Sequence, residues 1–273
     1  MSAPTIRVSA DWLALREPAD AAARSTALVD CLRTHLPSVG TLTIHDLGSG
    51  TGSMMRWLAP QLAARQHWVL HDRDADLLAA ASTTAGLPDA SHVTTLEGRV
   101  DDVTLLTPAE LADADLITAS ALLDMLTLDE LARMVDTCVA VDCPSLLTIS
   151  VIGRVTLAPD DPLDATIAAA FNAHQRRTVD DRGLLGPDAV DAAAAAFASQ
   201  GWTTRLAPSP WRLGTPDSDL LREWLEGWVG AAVEWDPSIA DAAADYLATR
   251  KASARSGTLQ VTVDHLDLLA VPR

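Results

Sequence analysis

The sequence predicts an α/β fold built on a mostly parallel sheet. Apolar runs alternate with helical stretches from residue 41 onward, the pattern in which each strand is followed by a helix that crosses back over the sheet. The segment Ser145–Ile152 (SLLTISVI) is nearly all apolar, as a strand covered on both faces is. At 273 residues the chain buries a large core without disulfide or metal staples.

Thr41–Leu47 (TLTIHDL) reads as strand one and Gly48–Gly52 (GSGTG) as a turn. Over Met54–Ala64 the residues Met54, Met55, Leu58 and Leu62 recur at helical spacing. His67–His71 is a second strand, and Asp74–Ala85 a helix with Asp74 as its N-cap. His92–Leu96 and Asp115–Ala119 are strands three and four; Leu128–Ala140 is a helix and Ser145–Ile152 strand five. Gly153–Pro187 is irregular, broken by Pro159, Pro162, Gly183 and Gly186 around a helix at Asp164–Arg177. The alanine-rich helix Asp188–Gln200 ends at Gly201, a residue suited to a left-handed helix stop. Trp202–Ala207 is strand six, Asp217–Arg255 a helical insertion, and Thr258–Val271 strand seven. Residues 1–40 form a helical cap and 41–273 the main domain, with insertions at about 153–187 and 211–257. Tryptophans concentrate in the last third, where Trp224 and Trp228 share a helix face and favour core packing.

Twenty basic residues against 37 acidic ones leave a formal charge of −17. Nucleic-acid affinity rests on Lys and Arg neutralising phosphates, so a nucleic-acid partner is excluded. Lys251 is the only lysine and no apolar run reaches bilayer length, which argues against a membrane partner. The opening MSAPTIRVSADW lacks the basic region and apolar core of a signal peptide, so a cytoplasmic location is expected. Cys31, Cys138 and Cys143 form neither a CxxC pair nor a His/Cys cluster; they read as reduced, mostly buried thiols, and no metal site is expected.

The informative segment is Ile44-His45-Asp46-Leu47-Gly48-Ser49-Gly50-Thr51-Gly52. A strand ends, three glycines at alternate positions turn the chain, and a helix follows. Glycine lets the backbone approach a ligand and take positive φ. The dinucleotide fingerprint needs a glycine where Ser53 stands. Strand two ends at His71-Asp72, where a carboxylate is placed to accept hydrogen bonds from two ribose hydroxyls.

The D-x-G-x-G-x-G spacing, with Asp72 twenty residues beyond Gly52, resembles the class I S-adenosylmethionine (SAM)-dependent methyltransferases across roughly residues 41–271. The resemblance implies a Rossmann-like seven-stranded, mostly parallel sheet with an antiparallel last strand, helices on both faces and helical cap insertions. It implies SAM as cofactor. Asp46, Gly48, Ser49, Gly50 and Gly52 would hold its methionyl part, and Asp72 its ribose beside Arg73. Val100 as an apolar wall and Asp101 or Asp102 as acceptor for the amino group would take the adenine, although Arg99 stands where the family has an acid. Ser120 lies after strand four, where family members reach the methyl-transfer site.

That stretch, Ala119-Ser120-Ala121-Leu122-Leu123-Asp124, has no Asn-Pro-Pro-Tyr-type signature, which in the family accompanies amino-group methylation of bases or glutamine; the two insertions, closing over the acceptor, imply instead a hydroxyl, carboxylate or amine of a small molecule. His174, in the segment that covers the acceptor pocket in this family, is the first candidate for a general base and Asp124 the second. A solvent-facing histidine and a helix-start carboxylate are the open alternatives. Arg16 or Arg24 could reach the cofactor carboxylate. His45 and His71 read as structural. Two other functions compete: a catalytically silent SAM-binding scaffold, and an NAD-dependent oxidoreductase, which the missing Tyr-x-x-x-Lys pair disfavours. A monomer or homodimer is expected.

Overall fold

A computed structural model describes residues 8–82 and 93–273. The chain enters through two helices, α1 (Ala10–Ala23) and α2 (Thr26–Arg33), each started by a serine. Ser9 accepts the Trp12 N–H and Ser25 the Leu28 N–H, satisfying donors a helix start leaves open. The alternating unit follows: β1 (Thr41–Leu47), α3 (Ser53–Leu58), β2 (Arg65–Asp72), α4 (Ala75–Ser82), β3 (Val93–Val100), β4 (Leu116–Ser120), α5 (Leu128–Val141) and β5 (Ser145–Ala158). Then come α6 (Asp164–Gln175), the hairpin β6 (Thr178–Val179) and β7 (Arg182–Gly183), α7 (Ala189–Ser199), β8 (Thr203–Pro208) and β9 (Trp211–Leu213). Helices α8 (Ser218–Trp235) and α9 (Ala240–Arg255) precede the strand β10 (Gln260–Val271).

The sheet runs β3-β2-β1-β4-β5-β10-β8, with β9 also paired to β10. Strands β1 to β5 pair in parallel, whereas β10 lies antiparallel to both β5 and β8. The expected fold class, with its antiparallel last strand, is the one observed; β9 is an eighth strand. One face packs on α2, α3 and α4 through Val29, Leu32, Met55 and Trp68. The other packs on α5 and α7 through Leu131, Val135, Phe197 and Trp202. A third core joins α6, α8 and α9 to the β5–β9–β10 end around Trp211, Trp224, Trp228 and Tyr246.

Several boundaries differ from expectation. The helix expected over Met54–Ala64 is α-helical only to Leu58 and continues as a 3-10 turn to Gln61, because Pro60 has no N–H to extend the ladder. Strand β5 runs past Gly153, which takes φ +71°, to Ala158, where Gln260 is its partner. The first insertion therefore begins beyond 158 rather than at 153. Strand β3 extends four residues past Leu96, while His92 and residues 83–85 of the expected second helix lie outside the described residues. The β6–β7 hairpin was not expected. Its turn residues Asp180 and Asp181 both take positive φ, +52° and +63°, as two-residue hairpin turns require and aspartate tolerates. Cys138 and Cys143 are buried and Cys31 half-buried, all as free thiols. No described helix is long and apolar enough to cross a membrane.

Candidate functional site

The strand order reverses between β1 and β4, and loops leaving the carboxyl ends of adjacent strands diverge there to opposite faces. A cavity of about 630 Å³ occupies that crevice. Its floor is the loop after β1 and its walls are the ends of β2, β3 and β4; Trp12, Leu13, Arg16 and Asp20 of α1 form the roof.

The loop is shaped by its glycines. Gly48, Gly50 and Gly52 have φ of +66°, +53° and +81°, values side chains take only under strain. A Cβ on Gly50 would stand 2.9 Å from Leu13 Cδ1 of the roof, and one on Gly48 would stand 3.0 Å from Leu122 Cδ1. Asp72 clamps the loop. Its Oδ2 accepts the Gly50 N–H at 2.8 Å and its Oδ1 accepts the Asp74 N–H at 2.9 Å, and each oxygen keeps a lone pair for a ligand. We expect Gly50→Ala to cost ~1–2 kcal/mol through the left-handed conformation alone, read as a lower denaturant midpoint at unchanged slope.

Asp46 is 1% exposed, and only its Oδ1 is engaged, by the Thr118 hydroxyl at 2.7 Å. Its Oδ2 and the Ser49 hydroxyl are buried polar atoms with no protein partner, both on residues that line the cavity. Such atoms are expensive unless a ligand or water completes them. Burial pushes the Asp46 carboxyl up to about 7, so folding costs more as pH rises from the unfolded value toward 7 and most above it. Asp46→Asn is therefore expected to stabilise the ligand-free protein by on the order of 2 kcal/mol above pH 7, with the gain shrinking toward pH 4. Thermal melts across that range check it.

Beneath the floor, Arg24 is buried over the Trp57 ring and its Nη2 donates to Ser120 Oγ at 2.9 Å and Ser53 Oγ at 3.2 Å. Both hydroxyls line the cavity; with a lone pair taken by the guanidinium, each is left to donate its proton. Burial lowers the pKa of Arg24. In the roof, Arg16 donates to Asp20 from Nε at 3.0 Å and Nη2 at 3.2 Å, and Asp20 also accepts from Trp211 Nε1. Glu17 accepts from Arg56 Nε at 2.6 Å, tying α1 to α3.

Asp101 is held from behind. His71 Nδ1 lies 2.8 Å from Asp101 Oδ2, His71 Nε2 lies 2.9 Å from His45 Nδ1, and His45 Nε2 lies 3.1 Å from Asp113 Oδ1. Burial, then the neighbouring His71, lowers His45 to about 4. The two histidines are thus interior members of a chain that ends at the cavity wall.

Of the residues singled out from sequence, Asp46, Gly48, Ser49, Gly50, Asp72, Arg73, Asp101, Ser120 and Asp124 line the cavity. Gly52 does not; it starts α3 as its N-cap. Val100 is 61% exposed at the end of β3, and Val103, three positions on, lines the cavity in its place. His174 is also elsewhere. With Ile167 and Ala170 it forms the buried face of α6, where its Nε2 lies 3.3 Å from Glu234 of α8. This removes it as a base for a ligand in this cavity. No residue of the 211–257 insertion lines the cavity, and the 153–187 segment contributes only Val179, Asp180 and Arg182. Of the arginines expected near the cofactor, Arg16 lines the cavity and Arg24 does not; the other roof residues Trp12, Leu13 and Asp20 escaped notice, although positions 12, 16 and 20 fall on one helical face.

Asp124 sits in the 3-10 turn after β4. Its carboxylate is raised to about 6 by burial. Arg182 lies nearby but is engaged by Glu130, from Nε to Oε1 at 2.8 Å and from Nη2 to Oε2 at 2.7 Å.

No protein-family model and no curated protein sequence matches the chain. Among solved structures, the cyclopropane synthase MmaA2 from Mycobacterium tuberculosis aligns over 96% of this chain and 94% of its own, at 17% identity and a TM-score of 0.52. A protein from Bacillus halodurans C-125, provisionally assigned as a methyltransferase, aligns over 89% and 98%, at 13% identity and a TM-score of 0.50. At these identities the likeness is one of fold, and the fold is the Rossmann-like methyltransferase architecture.

Proposed function

We propose that the protein is a SAM-dependent methyltransferase acting on a small molecule. The observation that carries the reading is the clamp of Asp72 on Gly50 within a loop of positive-φ glycines, facing a cavity at the carboxyl ends of β1 and β2. Asp72 would accept the ribose hydroxyls, with Arg73 beside it, and Asp101, steadied by His71, would accept the adenine amino group. The orphaned Asp46 Oδ2 suits an ammonium, and the Ser53 and Ser120 hydroxyls, polarised by Arg24, suit a carboxylate. These donors and acceptors fit the two ends of an amino-acid-bearing nucleoside.

Bound there, SAM would supply a methyl group already activated by a sulfonium. The protein's task is then alignment, which can supply ~7–11 kcal/mol of the barrier. Strand β4 and its turn bring Asp124 to the cavity beside Ala121 and Leu122, and a carboxylate raised toward neutrality can take a proton from an acceptor. This favours an enzyme over a silent scaffold. Calorimetry with SAM, with its demethylated product S-adenosylhomocysteine (SAH), and with NAD tests the reading. Binding of the first two and not the third is expected; NAD binding, or no binding of SAM, sinks it.

A further inference from the structure

The acceptor's chemistry can be narrowed from the charges that surround it, on the reading of the cavity given above. We infer that the methyl acceptor is an amine that enters as an ammonium ion, with Asp124 as its recognition partner and its proton acceptor. Among the described residues, the cavity is lined by eight aspartates and three arginines. Two of those arginines are committed to acids, Arg16 to Asp20 and Arg182 to Glu130. The third, Arg73, follows β2, two strands away from Asp124 in the sheet order β2-β1-β4. Among the described residues, neither Asp124 nor Asp180 forms an ion pair; Arg16 and Arg182 act on them only at longer range. An anionic acceptor would thus meet a carboxylate at the reacting end with no uncommitted guanidinium to offset it. A cationic one completes the site, and the protein's charge of −17 steers cations toward it.

The cofactor's ammonium takes the unpartnered Asp46 Oδ2 in the same cavity, which leaves Asp124 and Asp180 as the carboxylates for the acceptor. Trp12, Leu13, Leu122 and Leu126 supply apolar walls, so the amine carries an apolar body. The chemistry balances. Asp124 takes one proton from the ammonium, the freed nitrogen lone pair forms the N–C bond as the S–C bond breaks, and that bond's electron pair remains on sulfur. A secondary ammonium leaves, and Asp124 returns its proton to water. An alcohol is a far weaker acid than an ammonium, so a carboxylate near pH 6 is poorly matched to it. The charge acting on Asp124 is Arg16 of the roof; Asp20 of the roof and Asp180 and Arg182 of the hairpin line the same cavity.

The full chain is incubated with methyl-labelled SAM and an extract of its own cells, separated beforehand into cationic, neutral and anionic small-molecule fractions at pH 7. Label is expected in a product from the cationic fraction, retained on a cation exchanger, at least about tenfold above the other fractions. Label confined to the neutral or anionic fraction overturns the amine. Absence of label in every fraction also overturns it. Calorimetry then separates the causes: if SAM still binds, the cofactor reading stands and the amine alone has failed; if SAM does not bind, both fail.

Discussion

Asp72→Ala is expected to weaken SAH binding by about 10²–10³-fold. The estimate follows from what the carboxylate does. Its two oxygens fix the Gly50 and Asp74 N–H groups, and a bond to a charged acceptor contributes ~1.5–3 kcal/mol. Removing the side chain loses the ribose contacts and also leaves the Gly50 donor unpaired under the ligand. Asp72→Asn keeps one carbonyl oxygen for Gly50 but loses the charge, so it should fall between wild type and alanine. Calorimetry on the three proteins reads the series. Equal affinities across it would mean that the ligand sits elsewhere.

The second large effect concerns turnover. Asp124→Asn is expected to lower kcat by about 10²–10³-fold while leaving SAM affinity within about twofold, the signature of a lost general base. The pH profile separates this role from a structural one. The base works deprotonated, and burial raises Asp124 to about 6; activity should therefore fall as pH drops through 6 and reach a plateau above it. In the asparagine variant that limb should vanish. A variant that keeps wild-type kcat, or the same acid limb, removes Asp124 from the reaction.

The half of the site legible in the sequence is its local half. β1, the glycine turn and Asp72 lie within 32 positions, and backbone geometry alone ties them: positive φ at Gly48 and Gly50, and a carboxylate at a strand end. The other half depends on contacts between distant segments. His174 carried the right chemistry, but its direction is set by α8, whose Glu234 is sixty positions away. Val100 was displaced by three residues because β3 continues past its apolar run before the chain turns inward at Val103. Apart from Arg16, the roof was obscured because α1 is only weakly amphipathic, carrying Glu17 and Asp20 on surfaces that are covered only once α3 and β9 are in place.

Strand β10 has a further consequence, for biosynthesis. It is made after every other element described and yet occupies an interior lane of the sheet, between β5 and β8, where its Asp267 also receives the Ser25 and Ile149 N–H groups. On the ribosome the nascent chain must wait with a gap between β5 and β8 and with both their edges unpaired, a state prone to sticking to other strands. Only when residues 260–271 emerge can that gap close, so a stop codon before them would leave an open, aggregation-prone polypeptide rather than a slightly shorter folded protein.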